Sequence, residues 1–363
     1  METMKSLRIL SLTVVAGLTL LGLACVPPGS PPPPAGPQYQ VSAWAPWTHT
    51  TAVKTTLERE LATFDVVHPF WYSLKADDTI GAVSYVDPAL VTKMQTAGVK
   101  VVPTMTDGFV NGRAKAVLAD PNRRAAVLQR ILDLVDAKGY DGIDLDWENM
   151  DKSARDLFSD FVDDLSTALH VKGKIVSLAV YPKTSEPGSW AGPQSHDYAR
   201  LGAAADRINI MGYGYGYGGG PPNPIGPIHW LTRVLAFATT VVPAKKIQLG
   251  IPFYGRDWPE GASAKALTNV DVVNLVGQYN PTVTYDPQAG ESTFKYTDSA
   301  GKKHTVWFQS PEGTGDKMEL VSKCGHGLVP TLGWRTHDPL ARSPRTTCGI
   351  TYRLAPRGGP WRQ

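Results

Sequence analysis

The chain has 363 residues, 42% of them hydrophobic and 19% charged, enough to bury one large core and an ordinary length for a single α/β barrel. Its formal net charge is only +3 and no long run of Lys or Arg occurs, which removes any electrostatic case for nucleic acid as a partner.

At the N-terminus, Lys5 and Arg8 precede an apolar run from Ile9 to Ala24, too short for a comfortable membrane span and typical of an export signal. Residues 1–25 are therefore set apart from the fold, and export of the mature chain is expected. The run ends in Leu21-Gly-Leu-Ala-Cys25, followed by Pro27 and a proline-rich stretch to Pro37. This ending resembles a bacterial lipoprotein signal, in which Cys25 would be lipidated and residues 26–38 would form a stiff linker. Gly22 and Leu23 depart from that pattern, so membrane anchoring through Cys25 and plain secretion stand as alternatives.

Beyond the linker, short apolar runs alternate with amphipathic stretches. The runs are Tyr39 to Ala45, Phe64 to Ser73, Val99 to Thr106, Tyr140 to Trp147, Lys174 to Tyr181, Arg207 to Tyr213, Ile247 to Tyr254 and Gly327 to Trp334. Ala125 to Ala137 has apolar residues at the spacing of one helical face, and Asp120-Pro121 before it is a start signal. Leu157, Phe161, Leu165 and Leu169 repeat the pattern. Eight apolar strands alternating with helices predict a parallel sheet closed into a (β/α)8 TIM barrel over residues 39–355. The surplus at about 256–325 reads as a small α+β insertion between the seventh and eighth strands. Within it Thr282 to Tyr285, Ser292 to Thr297 and His304 to Gln309 are expected as short antiparallel strands. Residues 356–363 form a tail.

The fourth run carries the chemistry. Side chains alternate along a strand, so Asp144, Asp146 and Glu148 share one face while Ile143, Leu145 and Trp147 share the other. In a barrel the apolar set meets the helices and the acids face inward, with Glu148 nearest the carboxyl end where barrel active sites sit. Three adjacent buried carboxylates are costly unless they share protons or find donors. Their repulsion keeps at least one protonated near neutral pH, the condition for a general acid. A salt-bridged edge strand is the plainer alternative, against which the Ile/Leu/Trp alternation speaks. Asp141, at the opposite parity, is read as structural. Cys324 and Cys348 are either a disulfide, as suits an oxidising compartment, or two unpaired thiols. No metal site is predicted, since only His326 stands near either cysteine.

Asp141-Gly-Ile-Asp-Leu-Asp-Trp-Glu148 resembles the Asp-Gly-x-Asp-x-Asp-x-Glu signature of glycoside hydrolase family 18, the chitinase family, where it fills the fourth barrel strand. Phe70-Trp-Tyr72, Met211-Gly-Tyr213 and Leu249 to Gly255 resemble the second, sixth and seventh strands, and the resemblance covers Tyr39 to Pro339. Asn149, His304 to Phe308 and Lys317 are most similar to the bacterial cell-wall and spore branch, which includes peptidoglycan N-acetylglucosaminidases.

The resemblance implies an N-acetylated polysaccharide as partner, chitin-like or peptidoglycan, cleaved at β-1,4 bonds with no cofactor and no metal. It also implies a retaining mechanism in which the substrate's acetamide is the nucleophile, one of the exceptions to the two-carboxylate scheme. Glu148 would be the acid/base, Asp146 would hold the acetamide N–H, Asp144 would share a proton with Asp146, and Tyr213 would bond the acetamide oxygen. Met211 shares the inward parity of Tyr213 and is counted with the substrate-binding set. Gly214 stands where an Asp commonly follows that Tyr. Trp334 would floor the sugar, with core packing as the alternative. Trp71, Tyr72, Tyr181 and Tyr254 are candidates for sugar stacking or for ordinary core. A sugar-binding barrel that has lost catalysis is the rival function, and the presence of Glu148 argues against it.

Overall fold

The strand-forming runs are buried almost throughout. The computed structural model describes residues 40–48, 50–324 and 327–330. Its barrel strands are β1 (Ser42–Ala45), β2 (Val66–Leu74), β3 (Thr104–Thr106), β4 (Gly142–Asp146), β5 (Ile175–Val180), β6 (Arg207–Ile210), β7 (Ile247–Ile251) and β8 (Gly327–Pro330). They follow one another in sequence order, each parallel to the next. β8 packs back beside β1 and closes the ring. This is the expected (β/α)8 barrel. The third run is interrupted at Pro103, which has no N–H to give a ladder; Lys100–Val101 precedes it as a separate short strand on β2.

Local signals explain the helices that cover the outer face. Asp120 caps the helix Pro121–Lys138 by accepting from the backbone of Asn122 (2.9 Å) and Arg123 (3.1 Å), and Gly139 ends it in a left-handed conformation at φ 64°. The helix Arg155–His170 buries Phe158, Phe161, Val162, Leu165 and Leu169. Trp147, just past β4, stacks on Phe161 (5.2 Å between centroids) and Phe158 (5.9 Å). That sandwich fixes the outward parity of Trp147 and therefore the inward parity of the acids beside it. Asp141 is structural, as expected: it accepts from Val101 N (2.9 Å), Lys100 Nζ (3.0 Å) and Gln95 Nε2 (3.1 Å), joining β4 to the strand edge beside it.

Gly142 serves close approach of two strands. A Cβ there would stand 2.0 Å from the carbonyl oxygen of Ile175, the residue it faces on β5. Gly142→Ala is expected to lower stability by about 1–3 kcal/mol through overpacking, read as a drop in melting temperature. An unchanged melt would contradict the contact.

Between β7 and β8 lies a five-stranded antiparallel sheet in the order Lys265–Leu267, Gly255–Pro259, Lys303–Phe308, Glu291–Thr297, Thr284–Asp286. The three expected insertion strands appear within one or two residues of their predicted bounds. Gly255–Pro259, Lys265–Leu267 and the helix Asn269–Tyr279 add to them, the helix opened by a reciprocal Thr268/Asp271 cap. The sheet is pinned to the barrel by a fully buried ion pair, Glu291 with Lys317 Nζ at 2.7 Å. Glu291 also accepts from the backbone of Ile225 (2.6 Å) and Gly226 (2.7 Å) in the loop after β6. None of the described helices is long and apolar enough to cross a membrane.

Candidate active site

Asp144 lies deepest. Its Oδ2 accepts from Trp44 Nε1 (3.0 Å) on β1 and Thr104 Oγ1 (2.8 Å) on β3, and its Oδ1 accepts from Asn209 Nδ2 (3.2 Å) on β6. Asn209 also donates to Ser177 Oγ (2.7 Å) on β5.

Asp146 and Glu148 form the next layers toward the strand ends. Burial pushes the Asp146 carboxyl well above the usual carboxylate range, reinforced by Glu148, Asp144 and Asp107 and by a hydrogen bond with Glu148. Burial also raises Glu148, while hydrogen bonds from Tyr181 and Asp146 pull it down. The consistent arrangement has protonated Asp146 and the Tyr181 hydroxyl both donating to Glu148. Where the sequence reading placed a shared proton between Asp144 and Asp146, the structure has Asp146 bonded to Glu148, because Trp44, Thr104 and Asn209 already serve Asp144. The Oδ1 of Asp146 is buried without a protein partner. Tyr213 stays a neutral donor: burial raises its phenol, with Tyr254 and the three acids adding to the effect.

Tyr181 and Tyr213, with Gly214, Trp190 and Trp230, wall a cavity of about 260 Å³ at the ends of β5 and β6. Tyr181 meets Trp190 edge-on at 4.6 Å, and half of Trp190 is exposed. On the opposite side exposed Trp47 contacts Phe70 (5.5 Å) and Phe109 (5.9 Å), giving an apolar rim. Gly214 has φ 88°, the left-handed region.

The other sequence candidates divide. Met211 packs with Trp44 and Ala179 beneath Tyr213, and Tyr254 meets Tyr213 edge-on at 6.1 Å. Trp71 and Tyr72 belong to the core around Tyr140, away from the carboxylates; the Tyr72 and Tyr140 hydroxyls are 2.7 Å apart. Of the two alternatives open for them, this is ordinary core; β2 also carries a register irregularity between Phe70 and Tyr72. Trp334, Cys348 and Cys25 lie outside the described residues, as does the side chain of Cys324.

Four positioning residues escaped the sequence reading. Trp44 could have been found from the parity of β1. Asp107, fully buried after β3, accepts from the backbone N (2.6 Å) and Nδ2 (3.1 Å) of Asn149 and from Phe109 N (2.9 Å), holding the turn that follows Glu148. His196 is likewise buried. Its Nε2 lies 3.1 Å from Trp147 O, its Nδ1 accepts from Tyr181 N (3.3 Å), and burial lowers its pKa to about 4, so it is neutral. It thereby ties the backbone before Glu148 to that of Tyr181. Lys183 anchors the same segment by donating to the carbonyls of His196 and Pro193. Among the described residues no group of three or more His, Cys, Asp or Glu could hold a metal ion.

The family described as glycosyl hydrolases family 18 matches residues 75–329. The cortical fragment-lytic enzyme of Bacillus anthracis is 31% identical over 270 residues, covering 72% of this chain and 62% of the relative. The chain thus spans about three fifths of the length of the cortical fragment-lytic enzymes it matches. Among solved structures, a chitinase from Chromobacterium violaceum superposes with a TM-score of 0.75 at 25% identity, over 80% of this chain and 93% of that one. The Bacillus cereus spore cortex-lytic enzyme SleL gives 0.74 at 25% identity, over 83% and 72%.

Proposed function

Because the chain belongs to glycosyl hydrolase family 18, we propose that it is an exported enzyme hydrolysing β-1,4 bonds in N-acetylglucosamine-containing polymers, chitin-like or peptidoglycan. The observation that carries this reading is the hydrogen-bonded series Tyr181, Glu148, Asp146 beside Tyr213. It sets a proton donor of raised pKa and a buried acceptor against Tyr181, and with Tyr213, a neutral hydroxyl donor, Tyr181 walls the cavity. Export rests on the N-terminal signal, with anchoring through Cys25 or free secretion as its two outcomes.

In the first step the proton held by Asp146 passes along their hydrogen bond to Glu148, leaving Asp146 ionised, and Glu148 gives it to the leaving glycosidic oxygen as the substrate's acetamide carbonyl attacks the anomeric carbon. Asp146, through its unpartnered Oδ1, accepts the acetamide N–H and offsets the charge of the oxazolinium ion. Tyr213 donates to the acetamide oxygen. Water then opens the ring with Glu148 as base, and configuration is retained.

Tyr181→Phe moves the basic limb of the kcat/KM profile to higher pH. The Tyr181 hydroxyl stabilises ionised Glu148, so removing it lets the acid keep its proton further up the pH scale. A limb that stays in place or moves down contradicts the assignment.

The reading is tested by incubating the mature chain with chitooligosaccharides, purified peptidoglycan and their de-N-acetylated forms. Release of reducing ends from either N-acetylated substrate and from neither de-N-acetylated one is expected. No release at all would leave the rival reading, a sugar-binding barrel, for which Gly214 in place of an acid speaks.

A further inference from the structure

Arg256 stands on the strand Gly255–Pro259, between Tyr254 and the glycine-rich loop that follows β6. Its guanidinium carbon lies 5.8 Å from the centre of the Tyr254 ring, and it donates to the Tyr254 hydroxyl. Tyr254 in turn packs edge-on against Tyr213, so the cation is one aromatic ring removed from the reaction centre. Among the described residues Arg256 enters no ion pair, and its Nε is buried without a partner.

Among the described residues its surroundings offer no anion to complete it. Glu291 is close enough to act on Tyr254, but it is engaged by Lys317 and by the backbone of Ile225 and Gly226. On the loop side stand glycines: a Cβ on Gly218 would be 3.3 Å from Nη1 of Arg256. A partly buried guanidinium with an unpaired donor is costly unless an anion arrives to fill it. Four acids, Asp107, Asp144, Asp146 and Glu148, act on one another at the reaction centre. A negatively charged chain would be repelled there unless a cation stood beside its path.

We propose that Arg256 binds a carboxylate carried on the sugar chain, on a lactyl ether or on the peptide attached to it, and so selects acidic, peptidoglycan-type chains over neutral, chitin-type ones. Gly218 leaves the fork open on the loop side, and the planar guanidinium matches a carboxylate bidentately. The assignment rests on the reading of the site as an N-acetyl glycan cleft, and it names which glycan the cleft prefers.

Binding separates the two ideas, because it needs no turnover. Calorimetry of the full chain carrying Glu148→Gln would use three tetrasaccharides: a neutral N-acetylglucosamine oligomer, an N-acetylglucosamine/N-acetylmuramic acid oligomer with free lactyl carboxylates, and the latter bearing a dipeptide. Adding Arg256→Gln is expected to weaken the carboxylate-bearing ligands at least about tenfold and to leave the neutral one unchanged. Of the two acidic ligands, the one that loses more identifies which carboxylate is bound. Arg256→Lys, which keeps charge without the fork, should fall between. Equal losses on neutral and acidic ligands, no loss on either, or no binding of acidic ligands by the parent would each overturn the assignment. Melting temperatures of the variants exclude misfolding as the cause. Binding without hydrolysis by the wild type would refute the enzyme and leave the selection by Arg256 standing.

Discussion

Exchanging Glu148 for Gln lowers kcat by roughly 10³-fold while the melting temperature stays close to that of the parent. Gln has the same shape and still accepts from the Tyr181 hydroxyl, so the packing at the ends of β4 and β5 is kept. What is lost is a proton that can leave. Burial raises the Glu148 carboxyl, so its protonated form persists above the ordinary carboxylate range and activity declines as pH rises through that raised value. The variant should therefore lose activity at every pH, with no new optimum. The measurement is steady-state hydrolysis of an N-acetylated oligosaccharide across pH. Residual kcat within about tenfold of the parent would remove Glu148 from the role of acid.

Lys317→Met is expected to cost about 3–5 kcal/mol of stability and roughly 10 °C in melting temperature. Both members of the Lys317–Glu291 pair are fully buried, 2.7 Å apart. Burial pulls the Lys317 amine down and Glu291 holds it up, so the pair is formed at the expense of desolvation. Removing the cation leaves a carboxylate with only two backbone donors, from Ile225 and Gly226, at the junction of the insertion, the loop after β6 and the helix Pro311–Cys324. The damage should reach the active site as well, because that loop carries Tyr213. Combining Lys317→Met with Glu291→Gln should restore part of the loss, since the remaining polar group is neutral. A melt unchanged by the single exchange would refute the burial of the pair.

The barrel was legible because each strand is an apolar run bounded by turn residues, and the carboxylates because period-two alternation assigns faces without knowledge of neighbours. Aromatic type alone could not separate sugar stacking from core packing, and Trp71 and Tyr72 fall in the core around Tyr140. Asp107 and His196 were invisible for another reason: each is a lone residue outside any periodic pattern, with partners 42 and 49 positions away. Gly255–Pro259 carries a charged pair and a proline, which disguises a strand. Gly214 read as a missing acid. Its left-handed backbone adds that an Asp placed there would meet strain, so the absence cannot be reversed by a simple exchange.

Asp144 is fastened by Trp44, Thr104 and Asn209, which lie 100, 40 and 65 positions from it along the chain. No piece of the molecule short of residues 44 to 209 can assemble that clasp. During refolding, helices stabilised by near neighbours can return early, whereas the carboxylate set must wait for loops of this length to close. Regained helicity will therefore run ahead of a competent catalytic centre, and a folding intermediate with most of its secondary structure will still be catalytically silent.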